Sequence, residues 1–65
     1  MNQYIDYLFE DQETGERSFV ELKKDKPVKE LREEAWETAR ANFEEPFLVG
    51  VFAAADAEKL GYDTY

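Results

Sequence analysis

The stretch Tyr4 to Glu10 alternates. Ile5, Tyr7 and Phe9 fall on one side, and Tyr4, Asp6 and Leu8 on the other. A period of two, carried by β-branched and aromatic side chains, is a strand pattern. Gln12-Glu13-Thr14-Gly15 then reads as a turn, and Arg17 to Lys23 as a second strand. In that strand Ser18, Val20 and Leu22 share one face, and Phe19, Glu21 and Lys23 the other. A loop of this length is commonly built on a type I turn. Gly15 suits the left-handed position that such a loop needs. The register that follows sets Ile5 opposite Leu22, Tyr7 opposite Val20, Leu8 opposite Phe19 and Glu10 opposite Arg17. A slip by one residue would mix the two faces.

Lys24-Asp25-Lys26-Pro27 ends the hairpin. Pro27 fits the first position of a helix, and Asp25 places a carboxylate near its N-terminus. The helix is expected from about Pro27 to Phe43. Val28, Leu31, Ala35, Ala39 and Phe43 form its apolar stripe, and Glu30, Glu33, Glu34 and Glu37 lie opposite. Glu45-Pro46 stops it, because a residue before proline avoids helical geometry. Phe47 to Ala53 is a nearly continuous apolar run, short and bounded by breakers, and so reads as a well-covered strand. Asp56 is expected to cap one helical turn, Ala57 to Leu60, closed by Gly61. The tail Tyr62-Asp63-Thr64-Tyr65 is polar and aromatic.

These elements predict one small α+β domain over residues 1–65, of ββαβ(α) order. A three-stranded sheet would pack on one long amphipathic helix, with a short C-terminal helical turn. A helical crossover makes the third strand parallel to the second, so it can lie beside the first in the spatial order 2-1-3. The chain has 65 residues and no cysteine, so apolar packing alone must hold it. A domain of this size buries only about 60% of the surface its unfolded chain exposes. Its hydrophobic fraction of 43% and aromatic fraction of 15% are enough for a core.

Composition also narrows function. Without cysteine there is no thiolate nucleophile and no cysteine-ligated zinc or iron–sulfur site. Without histidine the usual general base near neutral pH is missing. No cofactor and no metal site is expected; the acidic turn Asp11 to Glu16 does not match a calcium-binding loop. Sixteen acidic against eight basic side chains give a net charge of -8. That charge opposes direct contact with nucleic acid or anionic membranes. No apolar run is long enough to span a bilayer, and Met1 to Tyr4 lack a leader's pattern, so residence in the cytoplasm is the default expectation.

The most unusual feature is the pair Asp6 and Glu21, opposed on the face away from the long helix. Like charges set opposite one another weaken a sheet. Framed by Tyr4, Leu8 and Phe19, they read as a site for a partner's guanidinium or ammonium group. The plainer alternatives are neutralisation by the diagonal Lys23, or a register in which Asp6 faces Lys23. One helix cannot cover both sides of the sheet. The second face is therefore either capped by the short helix and the tail, or open for association, in which case a homodimer is the commonest outcome.

Arg32, within the apolar arc of the helix, is expected to lay its stem beside Trp36. The expected function is non-enzymatic: a small acidic protein-interaction module whose partner is another protein or a second copy. Tyr4, Asp6, Leu8, Phe19 and Glu21, with Tyr62 and Tyr65 in the tail, are its candidate contacts. Two alternatives stand beside it. The acidic helix face could imitate DNA and inhibit a nucleic-acid-binding enzyme, or carboxylates could act catalytically at an oligomer interface.

Overall fold

The alternating N-terminal segments form a hairpin of β1 (Tyr4–Asp11) and β2 (Arg17–Lys23). The computed structural model describes residues 3–65; Met1 and Asn2, with which the reading of the N-terminus begins, lie outside the described residues. The hairpin register is the one expected: Ile5 faces Leu22, Asp6 faces Glu21, Tyr7 faces Val20 and Leu8 faces Phe19. Gly15 takes the left-handed conformation at φ 79°, and its amide donates to the Asp11 carbonyl at 2.7 Å. Any residue with a Cβ would be strained there.

Helix α1 (Val28–Asn42) follows, with Pro27 as the residue just before it. Leu31, Ala35 and Ala39 are buried against Tyr7, Phe9 and Val20, and Phe43 closes the cluster. The alanines let the helix come close to the sheet. The Phe9 ring meets Trp36 edge-on at 5.0 Å and Phe43 at 6.3 Å. Val28, expected on the stripe, is 71% exposed, because the core under α1 begins one turn later at Leu31.

The apolar run becomes β3 (Pro46–Ala53), which pairs antiparallel with β1. β1 is therefore central, as the 2-1-3 order requires. The pairing shifts between Leu8, which faces Gly50, and Phe9, which faces Leu48. Val49 is thus an extra residue, and a bulge of this kind reverses the alternation. Leu48 packs toward α1, whereas Phe52 packs on the opposite face with Leu8 and Phe19. Leu48 and Phe52 do not share a face, as strict alternation would have required. Gly50 sits beneath the Phe52 ring; a Cβ there would lie 3.1 Å from it.

The C-terminus departs from the expected three-stranded layout. Helix α2 (Ala54–Leu60) starts directly at the end of β3, with no side-chain cap, so Asp56 lies inside its first turn. Ala54 and Ala55 are strong helix formers, and that preference prevails over the capping signal. Gly61 ends α2 in the left-handed conformation at φ 73°. The reversal brings β4 (Asp63–Thr64) alongside β2 as a short parallel strand. The Tyr65 amide donates to the Phe19 carbonyl at 2.7 Å. The result is a small α+β fold with two helices and a four-stranded open sheet in the order β3-β1-β2-β4. A free β2 edge would expose unpaired backbone groups, and β4 covers part of it.

Candidate functional site

Helix α2 and the tail cover the second face of the sheet. Ala57 packs onto Leu8, Phe19 and Phe52. Tyr62 leans on Phe19 with ring centroids 5.9 Å apart, and Tyr65 reaches Phe43 at 5.6 Å. Phe43 belongs to the α1 cluster, so the tail crosses the β2 edge from one face of the sheet to the other. Leu8 and Phe19, read from the sequence as contact residues, are 2% and 1% exposed. They are core residues of this face and offer no area to a partner.

A seven-residue helix is too short to seal the sheet from end to end. Beside it lies a pocket of about 480 Å³, lined by Asp6, Phe19 and Glu21 from the sheet, by Ala57 and Glu58 from α2, and by Gly61, Tyr62 and Thr64. Asp6 stands in its wall, 2% exposed, and its Oδ1 has no hydrogen-bond partner. Burial without a partner is costly for a carboxylate. Among the described residues no cation pairs with it. Arg17, on the same face, is held by Glu10 at 2.9 Å. The register does set Lys23 diagonal to Asp6, but the exposed lysine makes no ion pair with it.

Burial, the facing charge of Glu21 and a shared hydrogen bond with Glu21 push the Asp6 carboxyl up to about 6. Like charge close by and desolvation act in the same direction on Asp6 and favour its protonated form. Asp11 shows the opposite outcome. Desolvation raises its carboxyl too, but backbone amides of Glu13, Glu44 and Glu45 donate to it and hold it below its ordinary value. These bonds fasten the hairpin turn to the segment between α1 and β3. Asp11 is satisfied and structural; Asp6 is buried and unsatisfied.

Of the residues read from the sequence, Asp6, Phe19, Glu21 and Tyr62 meet in the pocket. Tyr4, at the start of β1, and Tyr65, set edge-on to Phe43, stand outside it. Glu58, Gly61 and Thr64 join the wall unannounced, because their approach depends on where α2 and β4 dock. Arg32 is exposed and lines a shallow groove with Trp36, Lys29 and Arg40 on α1. Among the described residues no group of three acidic side chains is placed to hold a metal ion, and no helix is long and apolar enough to cross a membrane. Compared with known protein families, curated proteins and solved structures, the chain matches none.

Proposed function

We propose that this protein is a non-enzymatic interaction module that seats a cationic side chain of a partner protein in the pocket beside α2. The observation that carries this reading is Asp6: a buried carboxylate with an unpartnered oxygen in the wall of an open pocket, facing a second carboxylate. A guanidinium or ammonium group entering there would set the opposite charge beside the two facing carboxylates. Tyr62, which lines the pocket and is exposed, offers an aromatic wall to its alkyl stem or its planar head. Glu58 adds a further carboxylate to the pocket wall.

Self-association through this face has less support. Two such faces would bring their carboxylates together, and Leu8 and Phe19 already spend their area under α2. Imitation of DNA by α1 is also less favoured. Lys26 bridges Glu34 at 2.9 Å, and Lys29, Arg32 and Arg40 interrupt the acidic run around Trp36. Catalysis by carboxylates at an oligomer interface gains little, since the charge that opposes self-association opposes that interface too.

The test is a titration with N-acetylarginine amide at neutral pH, followed by backbone amide shifts. The expected result is saturable shifts at Asp6, Glu21, Ala57 and Thr64, and a loss of about tenfold in affinity for Asp6→Asn. Equal affinity in that variant, or shifts scattered along α1, would overturn the reading.

A further inference from the structure

The two edges of the sheet are treated differently. β4 and the Tyr65 amide cover part of β2. At the other side β3 ends the strand order, so its outer backbone groups have no strand partner among the described residues. Proteins usually guard such an edge with charged side chains, prolines or bulges. Here Pro46 stands at the start and one bulge lies at Val49, but no charged residue occurs from Pro46 to Ala55. Phe47, Val49 and Val51 are 51%, 37% and 48% exposed, so the strand offers apolar side chains as well as free backbone.

The charges around this edge specify what fits it. Glu44 and Glu45 precede β3, Asp56 follows it, and the whole chain carries -8. An extended segment laid along β3 would therefore run over an uncharged track with carboxylates at both ends. Two copies paired antiparallel would set the Glu44–Glu45 end of each against the Asp56 end of the other, and like charges oppose that arrangement. A segment with basic residues at its ends meets opposite charge at both. We propose that β3 is a strand-addition site for an extended segment of another protein, with an apolar, β-branched centre and lysine or arginine on either side. Backbone hydrogen bonds would supply affinity, and the end charges register and selectivity. The site needs no contribution from the pocket beside α2.

The probe is a synthetic peptide of alternating valine and threonine with a lysine pair at each end. Its counterpart carries glutamate pairs instead. The lysine peptide is expected to slow hydrogen exchange of amides within Phe47–Ala53 and to bind less tightly as salt is raised. The glutamate peptide should bind about tenfold more weakly or worse. Val51→Lys changes an exposed side chain, so the fold should persist, and it should weaken the lysine peptide by a similar factor. Asp6→Asn should leave this binding unchanged, which separates the edge from the pocket. Equal binding of the two peptides, protection confined to other elements, or a dimer whose β3 amides are protected without peptide would each overturn the proposal.

Discussion

The two faces of the sheet carry the same kind of strand side chain and end in different states. Under α1, Tyr7, Phe9 and Val20 meet Leu31, Ala35, Ala39 and Phe43 in a continuous apolar cluster. Under α2, Leu8, Phe19 and Ala57 form a smaller one, and Asp6 is buried next to it with one carboxylate oxygen lacking a hydrogen-bond partner. The difference follows from the length of the cover. Fifteen helical residues cover Tyr7, Phe9 and Val20 on one face, while seven leave a pocket on the other. A short cover is where a small acidic chain retains an unsatisfied charge, and there a partner has something to add.

The largest expected effects break the clusters themselves. Phe9→Ala and Phe19→Ala should each cost about 3–5 kcal/mol in chemical denaturation. They should differ in extent: Phe9→Ala loosens the whole sheet, whereas Phe19→Ala raises hydrogen exchange first in residues 54–65, because α2, Tyr62 and β4 all rest on Phe19. Equal exchange patterns in the two variants would show that the faces are one cooperative unit. Next in size is Asp11→Ala, which leaves the amides of Glu13, Glu44 and Glu45 without their acceptor. It should lower the melting temperature clearly at neutral pH and by less as the solution is made acidic. The folded chain holds this carboxyl below its ordinary value, so its contribution is present at neutral pH and lost as pH falls through that lowered value.

Asp6 should behave with the opposite sign. Its carboxyl binds a proton more tightly in the folded chain than in the unfolded one. Stability is therefore full below 3.8 and is lost as pH rises toward 6. Glu21, Glu58 and Tyr62 line the pocket with it, and the facing Glu21 opposes its ionisation. Asp6→Asn should raise the melting temperature at pH 7 and flatten the dependence between pH 4 and 7, since an amide can donate to Glu21. A melting temperature at pH 7 unchanged by this substitution would remove the electrostatic contrast between the faces. The smallest effect belongs to Arg17→Ala. Its ion pair with Glu10 is solvent-exposed, and pairs of that kind contribute little, so denaturation midpoints should barely move.

Much of this was legible from residue order. Strict alternation, β-branched and aromatic content and Gly15 specify the hairpin and its register, and with them the opposition of Asp6 and Glu21. Where local signals fall silent, legibility stops. In Phe47 to Ala53 every position is apolar or glycine, so nothing in the run announces the bulge at Val49 that turns Leu48 and Phe52 to opposite faces. β4 comprises two residues whose pairing exists only because Gly61 returns the chain to β2. The pocket depends on where α2 and β4 dock, and for that reason Leu8 and Phe19 read as open surface until α2 is placed. Asp6 and Glu21 were visible as a pair; the burial of one and exposure of the other were not.

The most direct measurement is the pH titration of the Asp6 carboxyl carbon by NMR, run with and without N-acetylarginine amide. The account predicts a midpoint near 6 in the free protein and a clear downward displacement when the cation is added, because the ionised form is the one that receives it. A midpoint at the ordinary aspartate value, or one that the cation leaves in place, would contradict it.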